Sequence, residues 1–149
     1  MIVGSADEMK KLGKAIAAQL RIGDLLLLSG PLGAGKTALT QGIAEHLGIS
    51  GVTSPTFVIS RIHEAGTQKI PLVHIDAYRL AGSDGSALFD DLDLVDYVEK
   101  SVTVVEWGEG FVDRLADQYL EVVMGHTDDE NVREVSFIGH GDRWNGFSV

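Results

Sequence analysis

The chain of 149 residues contains no cysteine, which excludes a disulfide framework, a zinc–thiolate site and a thiol nucleophile, and suits a reducing compartment. No apolar stretch approaches the length that spans a bilayer, and no basic segment followed by an apolar core opens the chain. The expectation is a cytoplasmic protein with no membrane partner. Basic side chains are scarce, twelve against twenty-two acidic ones, for a formal charge of −10. Such a surface repels a nucleic-acid backbone, so any nucleic acid it serves is expected to reach it through a basic partner. Arginines are few and unclustered, and an N-K-x-D guanine-reading element is missing. The first argues against the arginine-bearing lid of a small-molecule kinase; the second leaves ATP as the better guess over GTP.

What is present starts with Gly30-Pro31-Leu32-Gly33-Ala34-Gly35-Lys36-Thr37, a complete G-x-x-x-x-G-K-[ST] phosphate loop between an apolar run and a helical pattern. A triphosphate presents several anionic oxygens, and a curved row of backbone N–H groups meets them where glycine lets the main chain come close. The helix starting near Gly35 aims its positive end at the same place. Lys36 is expected to reach the β- and γ-phosphates and the Thr37 hydroxyl to ligate Mg²⁺. Gly30 and the run Leu32, Gly33, Ala34, Gly35, Lys36, Thr37 and Ala38 are the expected nucleotide contacts. The bland alternative is a glycine-rich turn, which the flanking strand and helix disfavour.

An apolar fraction of 44% in a chain of this length predicts one domain, residues 1–149, with a single core burying about two-thirds of the unfolded surface. Ser5-Ala6-Asp7-Glu8 has capping-box spacing and Met9, Leu12, Ile16 and Leu20 share one face, predicting a helix over 5–21. Leu25 to Ser29 reads as a strand buried on both faces. Leu39, Ile43 and Leu47 mark a second helix stopped by Gly48. Phe57 to Ile62 and Ile70 to Ile75 read as a hairpin, 81–99 as loop and short helix, and Val102 to Val105 as another buried strand. Tyr119 to Met124 and Val132 to Ile138 are two further strands, and the tail from Gly139 to Val149 is expected to be irregular. No internal repeat or linker interrupts the pattern.

Turnover of a bound nucleotide needs an acid at the end of a neighbouring strand. Leu72-Val73-His74-Ile75-Asp76 and Val102-Thr103-Val104-Val105-Glu106 both run apolar residues into a carboxylate, and either acid suits the role. A strand-terminal carboxylate that caps a turn is the plainer reading of each taken alone. Thr53-Ser54-Pro55-Thr56 suits a segment closing over the γ-phosphate, or an ordinary loop with an ST-turn. Arg79 is placed to contact phosphate or pair with an acid, and Trp107 reads as a packed rim aromatic. The acids from Asp90 to Glu99 read as a solvated face or docking patch.

The blocks GPLGAGKT (30–37), TSPTF (53–57), HIDAYRL (74–80) and VVEWGE (104–109), in this order and in so short a chain, resemble the TsaE (YjeE) family. The resemblance is strong over about residues 5–110 and weak beyond. It implies a three-layer α/β P-loop NTPase-like fold with a mainly parallel central sheet and antiparallel additions. It also implies an ATPase of tRNA threonylcarbamoyladenosine (t6A) biosynthesis that works with TsaD and TsaB on tRNAs reading codons that begin with A. In that picture Gly33 to Thr37 bind the ATP phosphates, Thr37 and Glu106 ligate Mg²⁺, and Asp76 assists hydrolysis or water positioning. Thr53 belongs to a switch-like element and Arg133 lies on the nucleotide side. Pro31 stands where the family often has Asp, and Met9 where a Thr is common near the nucleotide.

The expected mechanism is electrostatic: Mg²⁺, Lys36 and loop amides stabilise charge on the γ-phosphoryl while a carboxylate orients water. Without an evident arginine finger, turnover is expected to be slow until a partner completes the site. Two other readings share the loop: a small-molecule P-loop kinase, and an ATP-gated assembly module in which hydrolysis is incidental.

Overall fold

Four leucines and a serine, Leu25–Ser29 (β2), run down the middle of a seven-stranded sheet, and all five are buried. The computed structural model describes residues 1–53, 60–78 and 94–149. Parallel neighbours flank β2: Val102–Glu106 (β5) on one side and Tyr119–His126 (β6) on the other. Leu72–Asp76 (β4) adds to β5 in parallel. Antiparallel additions close both edges, with Ser60–His63 (β3) on β4 and Arg133–His140 (β7) on β6. Beyond β7 lies Ile2–Val3 (β1), and the full order is β1-β7-β6-β2-β5-β4-β3.

Alternation along the strands splits the apolar residues into two layers. Leu26 and Leu28 of β2, with Val102 and Val104 of β5, face a core shared with helices Ala6–Ala17 (α1) and Lys36–His46 (α2). Leu25, Leu27 and Val105 face the other way, toward the short helix Leu94–Val98 (α3) and the turn carrying Val112 and Leu115. This is the expected three-layer arrangement around a parallel core. Among the described residues no helix is long and apolar enough to cross a membrane.

Half of the capping box of α1 forms, with Ser5 Oγ accepting from the Glu8 N–H at 3.1 Å, while Glu8 Oε2 accepts from the N–H of Gly4, one residue before the cap, at 2.6 Å. The helix ends at Ala17, earlier than the periodicity predicts, because the chain tightens into i→i−3 bonds from Gln19 and Leu20. Leu20 is nonetheless buried. Helices α1 and α2 touch backbone to backbone. A Cβ built on Gly13 would fall on the carbonyl oxygen of Leu39, and one on Gly42 on that of Lys10.

Two expectations need correction. The tail is not irregular throughout: β7 runs on to His140, a 3-10 turn spans Asp142–Trp144, and Trp144 is buried against Phe147. Its aromatics supply the burial, and Arg143 closes the tail onto the body through Asp24, Nη2 to Oδ2 at 2.7 Å and Nε to Oδ1 at 3.0 Å. The strand β1 was not expected, since two residues carry no periodicity. Of the β3–β4 hairpin, the antiparallel pairing of Ser60–His63 with Leu72–Ile75 is present; residues 54–59 lie outside the described ones.

Candidate functional site

The phosphate loop leaves the C-terminal end of β2, where a parallel sheet opens its crevice. Gly33 and Gly35 take φ values of +77° and +105°, which L side chains rarely adopt. Gly35 caps α2, and among the described residues no side chain caps the helix, which leaves donors and the positive dipole end for an anion. Residues 32–38 line a cavity of about 690 Å³, closed on its far side by Asp76, Tyr78, Glu106 and Trp107.

The loop is held in shape from the β6–β7 hairpin. Arg133 donates to the Gly33 carbonyl from Nη2 at 3.2 Å and Nε at 3.4 Å, and His126 Nε2 lies 3.3 Å from the Leu32 carbonyl. Because peptide bonds here are trans, the Gly33 N–H points opposite to the Leu32 carbonyl and away from the hairpin. The Ala34 N–H closes the loop internally on the Pro31 carbonyl at 3.1 Å. Beneath the loop, the buried Met9 side chain fills the space a Cβ on Gly35 would need.

Lys36 is folded back on its own loop. Its Nζ donates to the carbonyls of Gly30 (2.6 Å) and Pro31 (3.2 Å) and stands 4.1 Å from the centre of the Trp107 ring. Burial pushes its ammonium below the ordinary lysine value, while the charges of Glu106, Glu109 and Asp76 oppose that shift. Trp107 reaches this position with φ +57°, a left-handed backbone that is costly for a bulky residue and typical of sites where geometry is imposed. Tyr78 meets its ring edge-on at 5.8 Å.

Asp76 and Glu106 are register partners at the ends of β4 and β5, both almost fully buried. Alternation puts them on the α2 side of the sheet, the same side as the loop. The Ala77 N–H donates to the Glu106 carbonyl at 2.8 Å, and the Asp76 carboxylate accepts the Tyr78 N–H at 3.0 Å. The acids therefore open on the cavity with their strand ends pinned together. Among the described residues no cluster of three or more His, Cys, Asp or Glu forms a metal cage. The Thr37 hydroxyl with one or two carboxylates nevertheless suits Mg²⁺, a hard cation that keeps waters and shares its shell with substrate phosphates.

Of the residues singled out from sequence, Leu32 through Ala38, Asp76 and Glu106 come together at the cavity, with Gly30 supplying a carbonyl to Lys36. Thr53 is exposed and is not among the described residues lining it. Ser54, Pro55, Thr56, Arg79, Asp90, Asp91 and Asp93 lie outside the described residues. Arg133 reaches the loop's carbonyl face and is not among the lining residues. Sequence reasoning missed His126, which carries no local signal, and His74, whose only signal is a histidine inside an apolar strand.

The family model described as threonylcarbamoyl adenosine biosynthesis protein TsaE matches residues 3–135. The chain belongs to the TsaE family. It is 52% identical over 141 residues to a tRNA threonylcarbamoyladenosine biosynthesis protein TsaE of Streptomyces coelicolor, covering 91% of this chain and 93% of that one. The TsaE protein of Bacillus subtilis is 38% identical over 140 residues, 93% of this chain and 84% of its own length. The crystal structure of Bacillus subtilis YdiB superposes with a TM-score of 0.78 at 32% identity, covering 97% of this chain and 87% of that one. The TsaE fold, a mixed α/β sheet of P-loop NTPase type with parallel core strands, is thus the fold of this chain.

Proposed function

We propose that this TsaE-family chain is a Mg²⁺-dependent ATP hydrolase of tRNA t6A biosynthesis, a single ATPase domain over residues 1–149 working in the cytoplasm with TsaD and TsaB and meeting tRNA only through them. The observation that carries the reading is the register pairing of Asp76 with Glu106 across from Lys36 and Thr37 at one cavity.

In this reading the Gly33 amide and the first turn of α2 bind the phosphates, with Leu32, Ala34, Gly35 and Ala38 shaping the loop around them. Lys36 leaves the Gly30 and Pro31 carbonyls and places its ammonium on the γ-phosphate. Thr37 and Glu106 hold Mg²⁺, which neutralises phosphate charge when bound. Asp76 accepts a hydrogen bond from the attacking water and orients it. Thr53 contacts the nucleotide, and Arg133 maintains the loop's outer curvature. No arginine lines the cavity among the described residues, so transition-state charge is stabilised incompletely and turnover by the chain alone is slow.

Phosphate release measured with Mg²⁺ and ATP, with and without TsaD and TsaB, tests the reading. Slow release that rises with the partners supports it; identical, fast rates in both overturn the partner dependence. A Glu106→Ala variant that binds ATP and assembles yet still supports tRNA modification would convert the reading to an ATP-gated module. A phosphorylated metabolite would convert it to a kinase.

A further inference from the structure

His74 sits in the middle of β4, fully buried, and neither ring nitrogen has a hydrogen-bond partner among the described residues. Its strand neighbours Val73 and Ile75 are apolar and fully buried. A leucine would fit this strand without stranding two polar atoms, each of which costs on the order of 1–3 kcal/mol when left unpaired. Glu106 Oε1 lies 3.7 Å from His74 Nε2. That gap is closed to hydrogen-bond length by a movement of about 0.5–1 Å, given the usual N–H···O range of about 2.7–3.2 Å.

Topology makes this proximity directional. In the parallel β4–β5 pair, His74 is in register with Val104 and Asp76 with Glu106. His74 therefore stands on the same face as the two acids but one pleat back from the cavity, behind Glu106. Glu106 faces the cavity on one side and the imidazole on the other. On the remaining side β3 contributes Arg61, the register partner of His74, and His63 in register with Leu72.

We propose that His74 is a positioning residue for Glu106: its Nε2–H donates to Oε1 when nucleotide and cation draw the carboxylate into line, leaving Oε2 for the cavity. The inference rests on the proposed cation role of Glu106. A carboxylate ligand whose second oxygen is fixed from behind presents one oxygen in one direction, and loss of such an outer partner typically costs about 10–100-fold in metal affinity or activity.

Calorimetric titration of Mg²⁺ into the protein with a non-hydrolysable ATP analogue gives the first test. In His74→Leu the Mg²⁺ concentration needed for tight analogue binding rises about 10–100-fold, metal-free analogue binding is unchanged, and the nucleotide-free melting temperature holds or rises. His74→Gln, which returns an N–H near the Nε2 position, recovers most of the loss. Unchanged Mg²⁺ dependence in a folded His74→Leu variant overturns the proposal, and so does an equal loss in both variants accompanied by a lower melting temperature. Imidazole ¹⁵N spectra of the unsubstituted protein answer the question even where a variant fails to fold or nucleotide fails to bind. An Nε2–H tautomer whose shift responds to Glu106→Gln and not to Asp76→Asn supports the proposal; an Nδ1–H tautomer, or indifference to Glu106→Gln, overturns it. Failure of the ATPase reading would show in phosphate release and analogue binding and leave the tautomer result standing.

Discussion

The Lys36 ammonium lies over the face of Trp107, 4.1 Å from the ring centre, while two loop carbonyls hold it from the other side. A cation over an indole is worth about 0.5–2 kcal/mol, and under the proposed function the ammonium exchanges these contacts for a triphosphate. Trp107 emission is therefore expected to change on ATP binding. Of the two tryptophans, Trp144 is buried in the tail and serves as the control: Trp144→Phe keeps the change and Trp107→Phe loses it. Emission that does not change on ATP binding in Trp144→Phe would overturn the displacement of Lys36 from the ring.

Burial depresses the Lys36 pKa below its ordinary value of 10.5, which fixes the sign of its effect on stability. Between the folded and unfolded pKa values the unfolded chain binds more protons, so this group's contribution rises with pH across that window, and at neutral pH the buried charge is a cost to the fold. Lys36→Met is expected to leave the melting temperature unchanged or raise it while weakening ATP binding roughly 100-fold or more, as two lost charge-assisted hydrogen bonds imply. Equilibrium binding and thermal unfolding on the same variant check both halves.

Gly13 and Gly42 are where α1 and α2 meet without side chains between them. Gly13→Ala or Gly42→Ala pushes a methyl group onto a backbone carbonyl of the opposing helix, and rigid backbone cannot yield as a side chain would. Each is expected to cost about 1–3 kcal/mol or more in urea unfolding. Because α2 carries the phosphate loop, each also weakens nucleotide binding. Gly125→Ala, where an added Cβ meets nothing within 4 Å, is expected to change stability little.

Legibility in the sequence followed the range of the interactions. Leu25–Ser29, the start of α2 and the two strands ending in Asp76 and Glu106 are written in apolar runs and turn residues a few positions apart, and they appear where the pattern puts them. The loop's conformation is equally local, since glycine at 33 and 35 has a backbone role that no partner need specify. What was hidden depends on residues distant in the chain. Neither the hold of His126 and Arg133 on the loop, nor the buried Trp144, nor the clasp of Arg143 on Asp24 can be read from periodicity. His74 escaped attention because a buried histidine in a strand looks like core until its distance from Glu106 is known.

His63 provides a pH test away from the cavity. Burial lowers its pKa below the ordinary 6.5, and the neighbouring His74 and Arg61 add to the shift. The folded state then takes up a proton less readily than the unfolded chain, so this contribution to stability is complete above about pH 6.5 and is lost as pH falls toward the folded-state value. His63→Gln is expected to reduce the loss of stability between about pH 7.5 and 5.5, compared with the unsubstituted protein in urea titrations at each pH. An identical pH slope in both proteins would remove His63 as the cause.

Beside its local bonds, the phosphate loop is held by residues 94 and 100 positions further along the chain, and β6 must be in place before β2 is flanked on both sides. On the ribosome, the whole glycine-lysine segment emerges long before the hairpin that braces its outer carbonyls. The hairpin is thus a late-arriving clasp on an early segment.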